Sequence, residues 1–146
     1  MMMNIPSPTE VVAHMMQHDR FSQWLGISVL HVEAGSSRIE MLVRDEMING
    51  FGIVHGGIAF SLADSAFAFA CNNRNEVSVA LDTSIQFTRP VQVGDRLTAE
   101  ARELHNGRST GLYQITIINQ HGHMVALFKG TCFRTQRKLV DIPEEK

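Results

Sequence analysis

The sequence predicts an α+β fold in which an antiparallel sheet wraps around one long buried helix. Residues 56–71 are apolar on every side of a helix, and a helix that is apolar all round is buried. Four strand-like segments follow it, separated by hairpin-type turn signals. A helix without a polar face needs cover on several sides, which a sheet folded over it supplies. At 146 residues the chain is long enough for one domain with a sizeable core. That domain is read as spanning 1–146, with an N-terminal helical segment over about 1–24 and a polar tail over about 136–146 expected to fray.

Taken in order, Ser7-Pro8 marks a helix start, a cap followed by a proline in the first turn. Val11, Val12, Met15 and Met16 then give one apolar side to a helix over about 10–18, and residues 21–25 pack it down before Gly26. Residues 27–34 read as a strand, 35–37 as a turn and 38–44 as a second strand, in which Ile39, Met41 and Val43 alternate with polar neighbours. A loop over 45–54, punctuated by Gly50 and Gly52, leads into the apolar helix. Beyond Asn72-Asn73-Arg74-Asn75 the period changes to two. Val77, Val79, Leu81, Thr83, Ile85 and Phe87 fall on one face of a strand that stops at Arg89-Pro90. Gly94-Asp95 turns the chain into 97–103, Asn106-Gly107 signals a hairpin, and His121-Gly122 turns into the last strand, 124–133.

Charge and composition narrow the function. A net charge of −2 provides no broad field for nucleic acid or an anionic membrane. The apolar helix falls short of the ~20 residues a bilayer demands and carries Asp64 at its centre. Met1 to Pro6 lacks a basic region followed by an apolar core, and Cys71 and Cys132 form no CxxC pair. The expectation is a cytoplasmic enzyme or binding domain with reduced thiols.

Asp64 is the residue to explain. A carboxylate in an apolar helix is costly unless paired or put to use, and the helix offers no Lys or Arg to pair with it. Upstream, Gly56 and Gly57 open the helix, where free N–H groups and the positive dipole end can hold an oxyanion. The absence of side chains lets a carbonyl approach the backbone closely. Asp64 would then act as a nucleophile or as a general base on water, and both routes stay open.

Asn49-Gly50-Phe51-Gly52-Ile53-Val54-His55-Gly56-Gly57 followed by Phe60-Ser61-Leu62-Ala63-Asp64-Ser65-Ala66 closely resembles the signature of the hotdog-fold acyl-CoA thioesterases, in particular the phenylacetate-degradation (PaaI) branch. The resemblance continues through Asn72, Phe87-Thr88-Arg89-Pro90, Gly94-Asp95 and 125–130, covering about residues 20–134. It implies hydrolysis of an acyl-CoA thioester, with an aromatic (phenylacetyl-type) or medium-length acyl group. Asp64 is then the catalytic carboxylate, the Gly56 N–H polarises the carbonyl, and Asn49 and His55 line the reacting centre. Gly57, Ser65, Thr88 and Arg89 are the substrate-binding candidates. Arg89, Arg108, Arg134, Arg137 and Lys138 are candidates for the coenzyme A phosphates. No metal and no cofactor beyond the substrate's own coenzyme A is implied.

Spacing adds an inference about assembly. Eight residues separate Gly56 from Asp64, about 12 Å along a helix at 1.5 Å per residue. One helix cannot place both groups within ~3 Å of the same carbonyl carbon. If both act, they come from two copies related by a dyad, with two shared sites per homodimer. The resemblance implies that such dimers pair into tetramers.

Blander readings exist for each residue. Asp64 could be capped by Ser61, His55 could be a helix cap, and Asn49 before Gly50 could be a turn residue. His14 and His18 stand at i, i+4, but no third ligand or HExxH accompanies them. No GxGxxG, GxxxxGK[ST] or GxSxG occurs, so dinucleotide, P-loop and serine-hydrolase readings lack support. Two rivals share the fold: an acyl-CoA hydratase or dehydratase, whose His is followed by Phe-Pro rather than Gly-Gly, and a non-catalytic acyl-CoA sensor, which would carry a DNA-binding segment and lack the carboxylate.

Overall fold

A computed structural model of the chain describes residues 5–140. The elements are α1 (Pro8–His18), α2 (Arg20–Leu25), β1 (Ser28–Glu33), β2 (Ser36–Leu42), a 3-10 turn (Asp45–Met47), α3 (Gly56–Asn72), β3 (Ser78–Phe87), β4 (Arg96–Asn106), β5 (Thr110–Ile118) and β6 (Met124–Arg134). The six strands form one antiparallel sheet in the order β1-β2-β4-β5-β6-β3, and α3 packs against β2 through β6. This is the hotdog arrangement.

Alternation puts one face of each central strand against α3. Ile39 and Met41 of β2, Leu97, Ala99 and Ala101 of β4, Tyr113, Ile115 and Ile117 of β5 and Phe128 of β6 are all buried there. Gly130 is part of the fit, because a Cβ at that position would lie 2.8 Å from the Phe67 ring of α3. At the far end of α3, the Asn73 side chain donates to the carbonyls of Glu33 and Ser36 and accepts from the Gly35 N–H. That clamp fixes the β1–β2 hairpin to the helix. Ser7 and Glu10 form a reciprocal capping box at the start of α1, with Pro8 in the first turn.

Outside α3, the structure departs from the sequence expectations in three places. Of residues 21–25, Leu25 is buried, while Phe21 and Trp24 stack on each other at 6.1 Å and remain exposed. The single apolar face expected for β3 is broken by a bulge between Ala80 and Asp82. The extra residue shifts the alternation, so Val79 faces away from the side that carries Thr83, Ile85 and Phe87. The start of the tail is held rather than frayed. The Val77 N–H donates to the Arg137 carbonyl, and Asn75 exchanges two hydrogen bonds with Val140. The remainder of the tail, 141–146, and residues 1–4 lie outside the described residues.

β3 is an edge strand, and its apolar side chains Val79, Leu81 and Phe87 are exposed. No helix is long and apolar enough to cross a membrane among the described residues.

Candidate active site

The helix start is built around His55. Its backbone N–H donates to the Met47 carbonyl at 2.9 Å, which ties the residue to the 3-10 turn. As N-cap of α3, its Nδ1 accepts from the Gly57 N–H at 2.8 Å, and its carbonyl accepts from Ile58 at 3.0 Å. With Nδ1 accepting, a neutral ring carries its proton on Nε2. The bland reading of His55 as a cap therefore describes what its ring does within the chain. It also leaves the Gly56 N–H without an acceptor among the described residues. That donor points outward from the positive end of a 17-residue helix.

Gly57 lacks a side chain for a definite reason, since a Cβ there would sit 2.9 Å from His55 Nδ1. Gly57→Ala should push the ring aside and cost the cap about 1 kcal/mol, lowering Tm by about 3–4 °C. Thermal melts read by circular dichroism check this, and an unchanged Tm would mean that the ring relaxes without losing the bond.

Asn49 organises the approach to His55. Its Oδ1 accepts from the N–H groups of Phe51 and Ile53, and its backbone N–H donates to the Ile53 carbonyl at 2.7 Å. Its side-chain oxygen is thus occupied in shaping the loop. Phe51 and Ile53 on that loop are exposed, and a Cβ on Gly56 would lie 3.4 Å from the ring of Phe87, also exposed. The helix start is bordered by uncovered apolar side chains.

Asp64 is a correction to the sequence reading. The helix is not buried all round: Gly57, Ser61, Asp64 and Ala68 form a stripe that is only partly covered, with Asp64 its exposed residue, and Phe60 at its border packs edge-on against Phe128 of β6 at 5.4 Å. Burial on its remaining sides nevertheless raises the Asp64 pKa above the ordinary carboxylate value, and the Asp19 carboxylate adds to the rise. Among the described residues Asp64 accepts no hydrogen bond, so a structural cap by Ser61 is not formed.

The other candidates divide. Ser65 is buried, and its hydroxyl is 2.8 Å from Ser22 Oγ. Thr88 Oγ1 donates to the Met124 carbonyl at 2.8 Å, while Arg89 is exposed on the segment leaving β3. Among the five cations considered for phosphates, Arg134 is buried and spends its guanidinium on Gly107, Cys71, Ser78, Asn106 and Tyr113 of its own chain. It is a structural residue. His14 and His18 touch edge-on at 4.9 Å, and no three metal-ligating side chains converge among the described residues.

One feature near the site escaped sequence reasoning. Asp19 caps α2 by accepting from the Ser22 N–H, and Ser22 Oγ donates to the same carboxylate at 2.6 Å. With Ser22 so committed, Ser65 is the donor in its own bond to Ser22, completing a chain Ser65–Ser22–Asp19. Asp19 three residues before Ser22 was a cap signal, but the link to α3 spans 43 residues and left no local trace.

The sequence profile of the thioesterase superfamily matches residues 51–126. The acyl-coenzyme A thioesterase PaaI of Escherichia coli is 44% identical over 84% of this chain and 88% of its own length. The structure of the E. coli PaaI protein, from the phenylacetic acid degradation operon, aligns with a TM-score of 0.87 at 40% identity, covering 90% of this chain and 95% of that one. A Streptococcus mutans protein solved with acetyl-CoA bound aligns at 0.74 with 28% identity, covering 77% and 90%.

Proposed function

The chain belongs to the thioesterase superfamily, and from that premise we propose that it hydrolyses acyl-CoA thioesters in the cytoplasm at sites shared between two copies of itself. The Gly56 N–H polarises the thioester carbonyl, and Asp64 from the facing subunit attacks it or activates water. The observation that carries this reading is the pairing of an unpartnered N–H at the start of α3 with an uncovered carboxylate on the same helix. An oxyanion needs a preorganised donor, and thioester hydrolysis needs a base or nucleophile. The helix supplies both, but about 12 Å apart along its axis.

Two further features support assembly. The partly covered stripe of α3 that carries Asp64 has small neighbours, Gly57 and Ala68, which suit contact with a second copy. β3 presents an unpaired edge with exposed Val79, Leu81 and Phe87, and an apolar free edge is a template for pairing with another strand. Phe87 at the end of that edge lies against Gly56, so strand pairing there would bring the partner to the helix start. Dimers of this kind would pair further into tetramers. Asn49 and His55 border the reacting centre, and Gly57, Thr88 and Arg89 lie where substrate would run past it. Ser65, being buried, acts from behind the helix. No cofactor is required, since coenzyme A arrives as part of the substrate.

The exposed apolar rim of Phe51, Ile53 and Phe87 suits an aromatic or medium-length acyl group. The test is a panel of acyl-CoAs, aromatic and aliphatic, followed by thiol release. Turnover of phenylacetyl-type or medium-chain thioesters supports the reading, and no release from any member overturns it.

A further inference from the structure

We propose that Asp19 is a positioning residue for Asp64, held in place by the Ser65–Ser22–Asp19 hydrogen-bond chain and acting through its charge. The inference rests on the catalytic role proposed above for Asp64. Its footing is geometric. Ser22 and Ser65 are both buried, so their hydroxyls need partners, and each finds one only in this chain. The bonds run from α3 across to the α1–α2 junction and end on a carboxylate. Ser65 adjoins Asp64 in sequence, so the chain is a tether of fixed length that sets where Asp19 stands relative to the partly covered stripe.

The charges around Asp64 isolate the effect. Titratable side chains on the inner sheet face are Tyr113, Cys132 and Arg134. They gather with Glu103 toward the far end of α3, where Arg134 bonds the Cys71 carbonyl. From α1, α2 and their junction come Glu10, His14, His18, Asp19 and Arg20. Among the described residues, Asp19 is the one whose charge acts on Asp64, and it acts to raise the pKa. A like charge disfavours ionisation, so the carboxylate that does ionise is a stronger base. A stronger base removes a proton from water faster, provided it remains ionised at working pH.

Asp19→Asn separates charge from structure. Asn caps α2 as well as Asp does. Its Nδ2 can donate to Ser22 Oγ, which then donates to Ser65, so every hydroxyl stays bonded with the chain reversed. Ser65→Ala instead cuts the tether and leaves the charge. The sign follows directly: removing a neighbouring negative charge lowers the Asp64 pKa. The acid limb of kcat/KM in Asp19→Asn should therefore move to lower pH, with kcat on the plateau reduced by less than about tenfold and KM unchanged. Ser65→Ala should move the limb the same way, by less. Carboxyl titration of Asp64 by carbon NMR should show the same shift without any substrate. An Asp64 titration identical in wild type and folded Asp19→Asn overturns the proposal. Because that measurement needs no turnover, it stands apart from the thioesterase reading, which fails only if the wild-type enzyme releases no thiol.

Discussion

Asp64→Asn is expected to lower kcat by at least about 10² while Tm stays equal or rises. The two outcomes have one cause. Asp64 accepts no hydrogen bond that an amide would lose, and it is the exposed residue of a partly covered stripe of α3, so the nearly isosteric change leaves packing alone. Its pKa is raised in the folded chain by burial and by Asp19. For an acid with a raised folded pKa, folding disfavours the ionised form. Near neutral pH that cost is present in the wild type, and it fades as pH falls through the folded pKa. Asn removes it. A residue kept for stability would behave in the opposite way, with Tm falling and activity following it. Steady-state kinetics on the best acyl-CoA from the panel, alongside thermal melts at pH 7, separate the cases. Activity within a few-fold of wild type would remove Asp64 from the chemistry.

What the sequence made legible, and what it hid, divides along the line between local and long-range interactions. The long apolar helix, the alternating strands and the turns at Gly94-Asp95 and His121-Gly122 are encoded locally, by period and by backbone preference, and the structure contains them. The motif around Gly56 was legible because its residues act within a few positions of one another. His55 caps, Gly57 makes room for the His55 ring, and Gly56 leaves its N–H free. The exposure of Asp64 was hidden. Ala68 beside it is apolar like the core residues yet only half-buried, and a pattern of apolar residues does not say how completely each is covered. β3 misled for a second reason. Its alternation reads as one continuous face, but the bulge after Ala80 turns Val79 away from Ile85, and a one-residue insertion leaves no mark on composition. The Ser65–Ser22–Asp19 chain joins residues that only the packing of α2 on α3 brings together.

The proposed shared site leads to an experiment in which two dead proteins should make a live one. Gly56→Pro removes the N–H assigned to the carbonyl, and losing one oxyanion donor costs about 10²–10³ in kcat. The fold should accept it. Proline suits the first position of a helix, and His55 before it already has φ −64° and ψ 132°, the extended conformation that a residue preceding proline adopts. The ring must also fit beside Phe87, whose nearest atom would be 3.4 Å from the new Cβ, a contact that an exposed side chain can relieve. Mixing Gly56→Pro subunits with Asp64→Asn subunits and allowing exchange gives heterodimers in which one site carries both lesions and the other carries neither. Random pairing makes about half of the dimers mixed, each with one intact site of two, so activity should return to about a quarter of wild type. Native mass spectrometry reports the exchange and thiol release reports the activity. No recovery despite confirmed exchange would mean that Gly56 and Asp64 of one chain serve the same site, which the ~12 Å rise between them along α3 forbids for a single carbonyl. One of the two assignments would then have to be abandoned.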